Sequence, residues 1–175
     1  MRWLAPLFGL ILHGALATPA LSGDTQLLDV PLVDAQGTTY GFARDAVGSG
    51  VAVINPIWTG CSSLCPLTSA VMGDLAERLG PRLGVEVRLV SLAIDPLEVP
   101  RTQLARWLED YGRVPGWLWL GGPPGAVETV LAGLGTALTG GLDEHPPLFL
   151  IVDGATGRVT GRASEPSKCR APGIG

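Results

Sequence analysis

No cluster of lysine or arginine occurs in the 175 residues, and the formal net charge is -4. Nucleic-acid binding rests on neutralising phosphates, so that class of partner is excluded. Polar low-complexity tracts and internal repeats are missing too. With 46% hydrophobic and 16% charged residues, the chain has enough apolar surface to offset the entropy of ordering, which excludes a mostly disordered protein. The length suits one domain with a real core and is short for two. An uninterrupted apolar run of about 18 residues, as a spanning helix needs, is also lacking. The longest candidate, Trp3 to Ala17, is broken by Pro6, Gly9 and His13.

That N-terminal stretch is nevertheless an address. Arg2, the apolar segment and the small residues Ala20 and Ser22 before Gly23 have the layout of a secretory signal with an A-x-S type cleavage site. Residues 1–22 are therefore expected to be a signal peptide, with retention as an anchor in the inner membrane as the alternative. No cysteine lies near the junction, so a lipid anchor has no attachment atom there. Residues 23–163 are expected to form the working domain in the periplasm or outside the cell, and residues 164–175 a flexible tail. Cleavage would remove His13 and leave His145 as the sole histidine. Cysteine is scarce as well: Cys61, Cys65 and Cys169. An odd number in an oxidising compartment leaves at least one sulfur for something other than an internal staple.

Apolar patterning predicts an α/β domain with a mixed sheet flanked by helices, for which the thioredoxin layout is the commonest small solution. Leu27 to Val33 and Thr38 to Phe42, around Asp34-Ala35-Gln36-Gly37, read as an opening hairpin. Val51 to Ile54 is a continuous apolar run and hence a central strand. Helix 1 should start at Pro66 and bury Leu67, Ala70, Val71, Leu75 and Leu79, ending at Gly80-Pro81. Val85 to Ile94 is a second buried strand. Thr102 to Tyr111 is a helix with Leu104, Ala105, Trp107 and Leu108 inward, Trp117 to Leu120 a strand, and Pro123 to Leu134 a helix. Leu148 to Val152 and a last weak strand enclose the hairpin loop at Asp153 to Gly157. The five tryptophans are expected in the core and at its boundary.

Chemistry concentrates in Thr59-Gly60-Cys61-Ser62-Ser63-Leu64-Cys65-Pro66. Two sulfurs four positions apart are presented together where a strand passes into a helix, whose oriented N–H groups favour thiolate. Pro66 fits the first turn, where an N–H has no intrahelical partner. Three readings stand. A structural disulfide would close so short a loop that it stabilises little. Dithiol exchange remains open, although the thioredoxin motif spaces its cysteines by two residues and this one by three. Metal binding suits soft thiolates, Cu(I) above all, and with an imidazole also Cu(II). In a thioredoxin-like layout His145, in Asp143-Glu144-His145-Pro146-Pro147 before the strand at Leu148, would come towards the pair as third ligand. Zinc is less suited, since a structural site wants four protein ligands. Asp95, before Pro96, reads as a strand-end residue more than as a group supporting the site.

These elements resemble the Sco/SenC family of copper chaperones for cytochrome c oxidase assembly. Trp58 to Pro66 looks like that family's aromatic-Thr-x-Cys-x-x-x-Cys-Pro element, Ser91 to Pro96 like its strand ending in Asp-Pro, and His145 to Asp153 like its histidine followed by a strand closing on aspartate. The likeness runs from about Leu27 to Gly161. It implies a thioredoxin-like fold and copper, Cu(I) or Cu(II), held by Cys61, Cys65 and His145. The implied partner is the oxidase subunit carrying the dinuclear copper site, with other periplasmic copper carriers or thiol reductases as further candidates. Leu97-Glu98-Val99-Pro100 departs from the family loop by one residue and lacks its second aspartate, and Cys169 has no counterpart. The rival function is a thiol-disulfide oxidoreductase in which Cys61 and Cys65 are the redox pair.

Overall fold

The structure is a computed structural model, and it describes residues 26–95, 97–136 and 147–163. The chain opens with a hairpin of β1 (Pro31–Val33) and β2 (Thr39–Gly41). Asp34 holds its turn, accepting the Gln36 and Thr38 N–H groups on Oδ1 at 2.8 Å each. The first strand is shorter than its apolar pattern, and Leu27 and Val30 pack on the core without joining it. A single π-helical turn, Phe42–Val47, follows and buries Phe42, Ala46 and Val47. It was not foreseen, because one turn is too short to show a helical period.

Next come β3 (Val51–Ile57), α1 (Leu64–Leu79), β4 (Val87–Ala93), α2 (Arg101–Tyr111), β5 (Trp117–Leu120), α3 (Pro124–Gly133), β6 (Leu148–Asp153) and β7 (Val159–Ala163). The sheet order is β5-β4-β3-β6-β7. Strands β3, β4 and β5 run parallel, while β6 is antiparallel to β3 and β7 antiparallel to β6. This is the expected mixed sheet, with its continuous apolar run at the centre. Gly84 and Gly116 fix the entrance to β4 and β5. Both have positive φ, and a Cβ on Gly116 would meet the Gly84 backbone nitrogen at 2.5 Å.

One core lies between the sheet and α3 with the N-terminal segment, from Leu32 and Phe42 to Val130 and Leu131. The other lies between the opposite sheet face and α1 and α2, around Met72, Leu89, Trp107, Trp117 and Trp119. Helix α1 corrects the expected face in part, since Leu75 and Leu79 pack against the core as expected. It buries Cys65, Thr68, Ser69, Met72 and Ala76, while Leu67 and Val71 stand 64% and 52% exposed and Ala70 is exposed too. Small residues at Ser69 and Ala76 let the helix lie close to the sheet, and Met72 fills the space between them. Helix α2 buries Leu104, Trp107 and Leu108 as expected. Among the described residues no helix is long and apolar enough to cross a membrane.

Candidate metal centre

Strand β3 carries the chain to Ile57 at the carboxyl end of the parallel strands, where open α/β sheets usually place their ligands. The chain then folds into a tight loop. The Cys61 N–H donates to the Trp58 carbonyl at 3.0 Å, and helix α1 starts at Leu64. Cys61 thus lies before the helix and Cys65 in its first turn. The two sulfurs are brought together by this turn.

Backbone donors converge on both. The Cys65 N–H points to Cys61 Sγ at 3.5 Å and the Trp58 N–H to Cys65 Sγ at 3.3 Å. N–H groups aimed at sulfur, next to the positive end of a helix, favour negative charge there and so favour thiolate chemistry. Both side chains are buried, with Cys61 4% and Cys65 1% exposed. A cleft of about 300 Å³ between the start of α1 and α2 reaches Cys61, with Thr59, Gln103, Trp107 and Tyr111 on its walls.

The loop is held from outside. Thr59 donates its hydroxyl to Asp95 Oδ1 at 2.6 Å and its N–H to Asp95 Oδ2 at 3.1 Å. Gln103 Nε2 donates to the same hydroxyl oxygen at 2.6 Å. Asp95 is therefore more than a strand-end residue, which corrects the expectation. Burial pushes its carboxyl above the ordinary value, against the pull of the Thr59 hydrogen bonds. Gln103 was missed from sequence, because a hydrogen bond across 44 positions leaves no periodic trace; Thr59 and the Asp-Pro at the strand end stood in the motifs, but nothing in the sequence joined them. Tyr111 closes the other side by donating to the Pro66 carbonyl at 3.3 Å.

Strand β6 begins at this same end. The Asn55 amide faces the Leu148 carbonyl at 3.5 Å, and Ile54 pairs with Leu150. His145 precedes Pro147 by two positions and, like Cys169, lies outside the described residues. Among the described residues no group of three or more His, Cys, Asp or Glu could hold a metal. Cys61 and Cys65 are together, and a third ligand would have to come from beyond them.

A mixed sheet of this order, with a cysteine pair where the first buried strand meets its helix, defines a thioredoxin-like protein. The sequence model of the SCO1/SenC family matches residues 29–146, and the chain belongs to that family. Solved structures agree in fold. A putative electron transfer protein from Aquifex aeolicus VF5 superposes with a TM-score of 0.69 at 20% identity, over 82% of this chain and 85% of that one. BsSco, described as a member of the Sco family of cytochrome c oxidase assembly proteins with a disulfide switch, gives 0.60 at 21% identity over 78% and 81%. ScoI of Arabidopsis thaliana with copper bound gives 0.62 at 15% identity over 77% and 85%. No curated protein matches the chain.

Proposed function

We propose that the protein is an exported copper-binding chaperone that delivers copper to, or prepares the thiols of, the dinuclear copper centre of cytochrome c oxidase. Cys61, Cys65 and His145 are its ligands. The observation that carries this reading is the convergence of two sulfurs in one buried loop, each facing a backbone N–H at 3.5 Å or less. Two soft sulfurs fit Cu(I), and an added imidazole extends the set to Cu(II). The start of β6 at the cysteine end supports His145 as the third donor. Membership of the family and the copper-bound Arabidopsis relative support copper as the cargo, and the description of BsSco supports the oxidase as its destination. Residues 1–22 serve as the export signal or inner-membrane anchor, 23–163 as the working domain and 164–175 as a tail.

Replacing His145 with Ala tests the ligand set. Cu(II) affinity should fall more than Cu(I) affinity, because two thiolates alone satisfy Cu(I) at low coordination. Titration with each oxidation state, following the thiolate-to-Cu(II) absorption and free thiols together, reads this directly. A variant that keeps the wild-type band and Cu(II) affinity removes His145 from the site.

That outcome would favour the second reading, thiol-disulfide exchange, which the buried approach of the two cysteines and the disulfide switch of BsSco support. In it the Cys61/Cys65 dithiol gives two electrons and two protons to a target disulfide. The target leaves as a dithiol, and a Cys61–Cys65 disulfide remains.

A further inference from the structure

We infer that Gln103 is a positioning residue for the cysteine loop, acting through the Thr59 hydroxyl. The chemistry of the three partners fixes every proton in the chain. An ionised carboxylate only accepts, an amide nitrogen only donates, and a hydroxyl has one proton to give. Asp95 Oδ1 takes that proton at 2.6 Å, and Gln103 Nε2 occupies the hydroxyl oxygen, also at 2.6 Å. With Gln103 in place both the proton and the oxygen of the hydroxyl are engaged; without it, α2 loses its hold on the loop and only the bond to Asp95 remains.

The loop needs such a clamp. Between the end of β3 and the start of α1 it carries Gly60, the residue with the widest backbone freedom, and Thr59 is the point at which α2 and the end of β4 both grip it. Thr59 is buried, so its hydroxyl has these partners in place of bulk water and losing one leaves an unmet polar group. Gln103 and Cys61 border the same cleft. A change at Gln103 on α2 should therefore alter how readily Cys61 is uncovered, although Gln103 precedes neither cysteine and has no ligating role.

The inference rests on Cys61 and Cys65 being the working pair, but its test needs no metal. Iodoacetamide, an uncharged alkylating agent, is applied to the full chain, and the rate at Cys61 is separated from those at Cys65 and Cys169 by peptide mass spectrometry. Gln103→Met keeps the length and loses the donor. It should raise the Cys61 rate about fivefold, the factor that one hydrogen bond of about 1 kcal/mol contributes to loop opening. With every rate taken as the pH-independent thiolate rate from a pH profile, so that the added ammonium's pull on the thiol proton does not count, Gln103→Lys restores a donor and should return the rate to near wild type, which a packing role would not predict. Thr59→Val removes both hydroxyl bonds and should raise the rate at least as far as Gln103→Met, while Thr59→Ser, with its hydroxyl intact, should match wild type. Gln103→Leu, which also lacks the donor, takes the place of Gln103→Met if that variant proves unstable. A wild-type rate in Gln103→Met beside a raised rate in Thr59→Val, or equal rates in Gln103→Lys and Gln103→Met, would overturn the inference. Failure of the wild-type protein to bind copper, with these rates as expected, would instead count against the metal reading alone.

Discussion

Asp95 shows at a single residue how the site draws on the stability of the fold. Burial raises its carboxyl above the ordinary 3.8 despite two hydrogen bonds from Thr59 that pull it down. The folded protein therefore keeps this proton at pH values where the unfolded chain has released it. Proton binding that favours the folded state makes stability fall as pH rises through that interval. Asp95→Asn removes the titration and replaces one acceptor with an amide that faces the Thr59 N–H, a constant penalty at all pH. The unfolding free energy of wild type minus that of the variant should thus decline from about pH 4 upward and level off once the folded carboxyl is ionised. Urea unfolding of both proteins across a pH series measures the drift, and a rising difference would mean that the hydrogen bonds outweigh burial.

At the scale of elements, α1 takes the sharpest test because Leu67, Ala70 and Val71, expected inward, lie exposed while Met72 is buried. Met72 is fully buried between α1 and the sheet, so Met72→Ala should cost about 2–5 kcal/mol. Leu67→Ala and Val71→Ala, on the exposed face, should each change stability by about 0.5 kcal/mol or less. Denaturant midpoints of the three variants decide between the faces, and a larger loss at Val71 than at Met72 would restore the original one. The contrast explains what could be read in advance. Strands β3 and β5 were legible because Val51-Ala52-Val53-Ile54 and Trp117-Leu118-Trp119-Leu120 are unbroken apolar runs with turn residues at their ends. Helix α1 was legible in position but not in orientation, since Leu67, Val71, Met72 and Leu75 spread apolar residues around the cylinder. Burial of Thr68 and Ser69 depends on how closely the sheet approaches, which no local period records. The cysteine pair could be found from its spacing, whereas the Asp95–Thr59–Gln103 clamp exists only once three separate segments meet.

Across the whole molecule, chemistry and architecture separate along the strands. The cysteine loop, Asp95 and the start of β6 gather at one end of the sheet, while the Gly84–Gly116 approach closes the other. Between them the second core carries four aromatic rings gathered around Trp119. Trp107 and Tyr111 stack with centroids 5.6 Å apart, and each meets Trp119, at 6.0 and 5.8 Å; Trp117 lies 4.9 Å from Trp119. At such spacings the electronic transitions of the indoles couple, so the far-ultraviolet circular dichroism should contain a pair of opposite-signed aromatic bands laid over the amide signal. Helix content taken from ellipticity alone would then be misjudged, and Trp119→Phe, which removes the central indole, should collapse the pair while leaving the amide bands. Because Trp107 and Tyr111 also wall the cleft that reaches Cys61, the molecule contains its own optical gauge: any ligand that shifts α2 against β5 would change the difference in its absorption of left and right circularly polarised ultraviolet light.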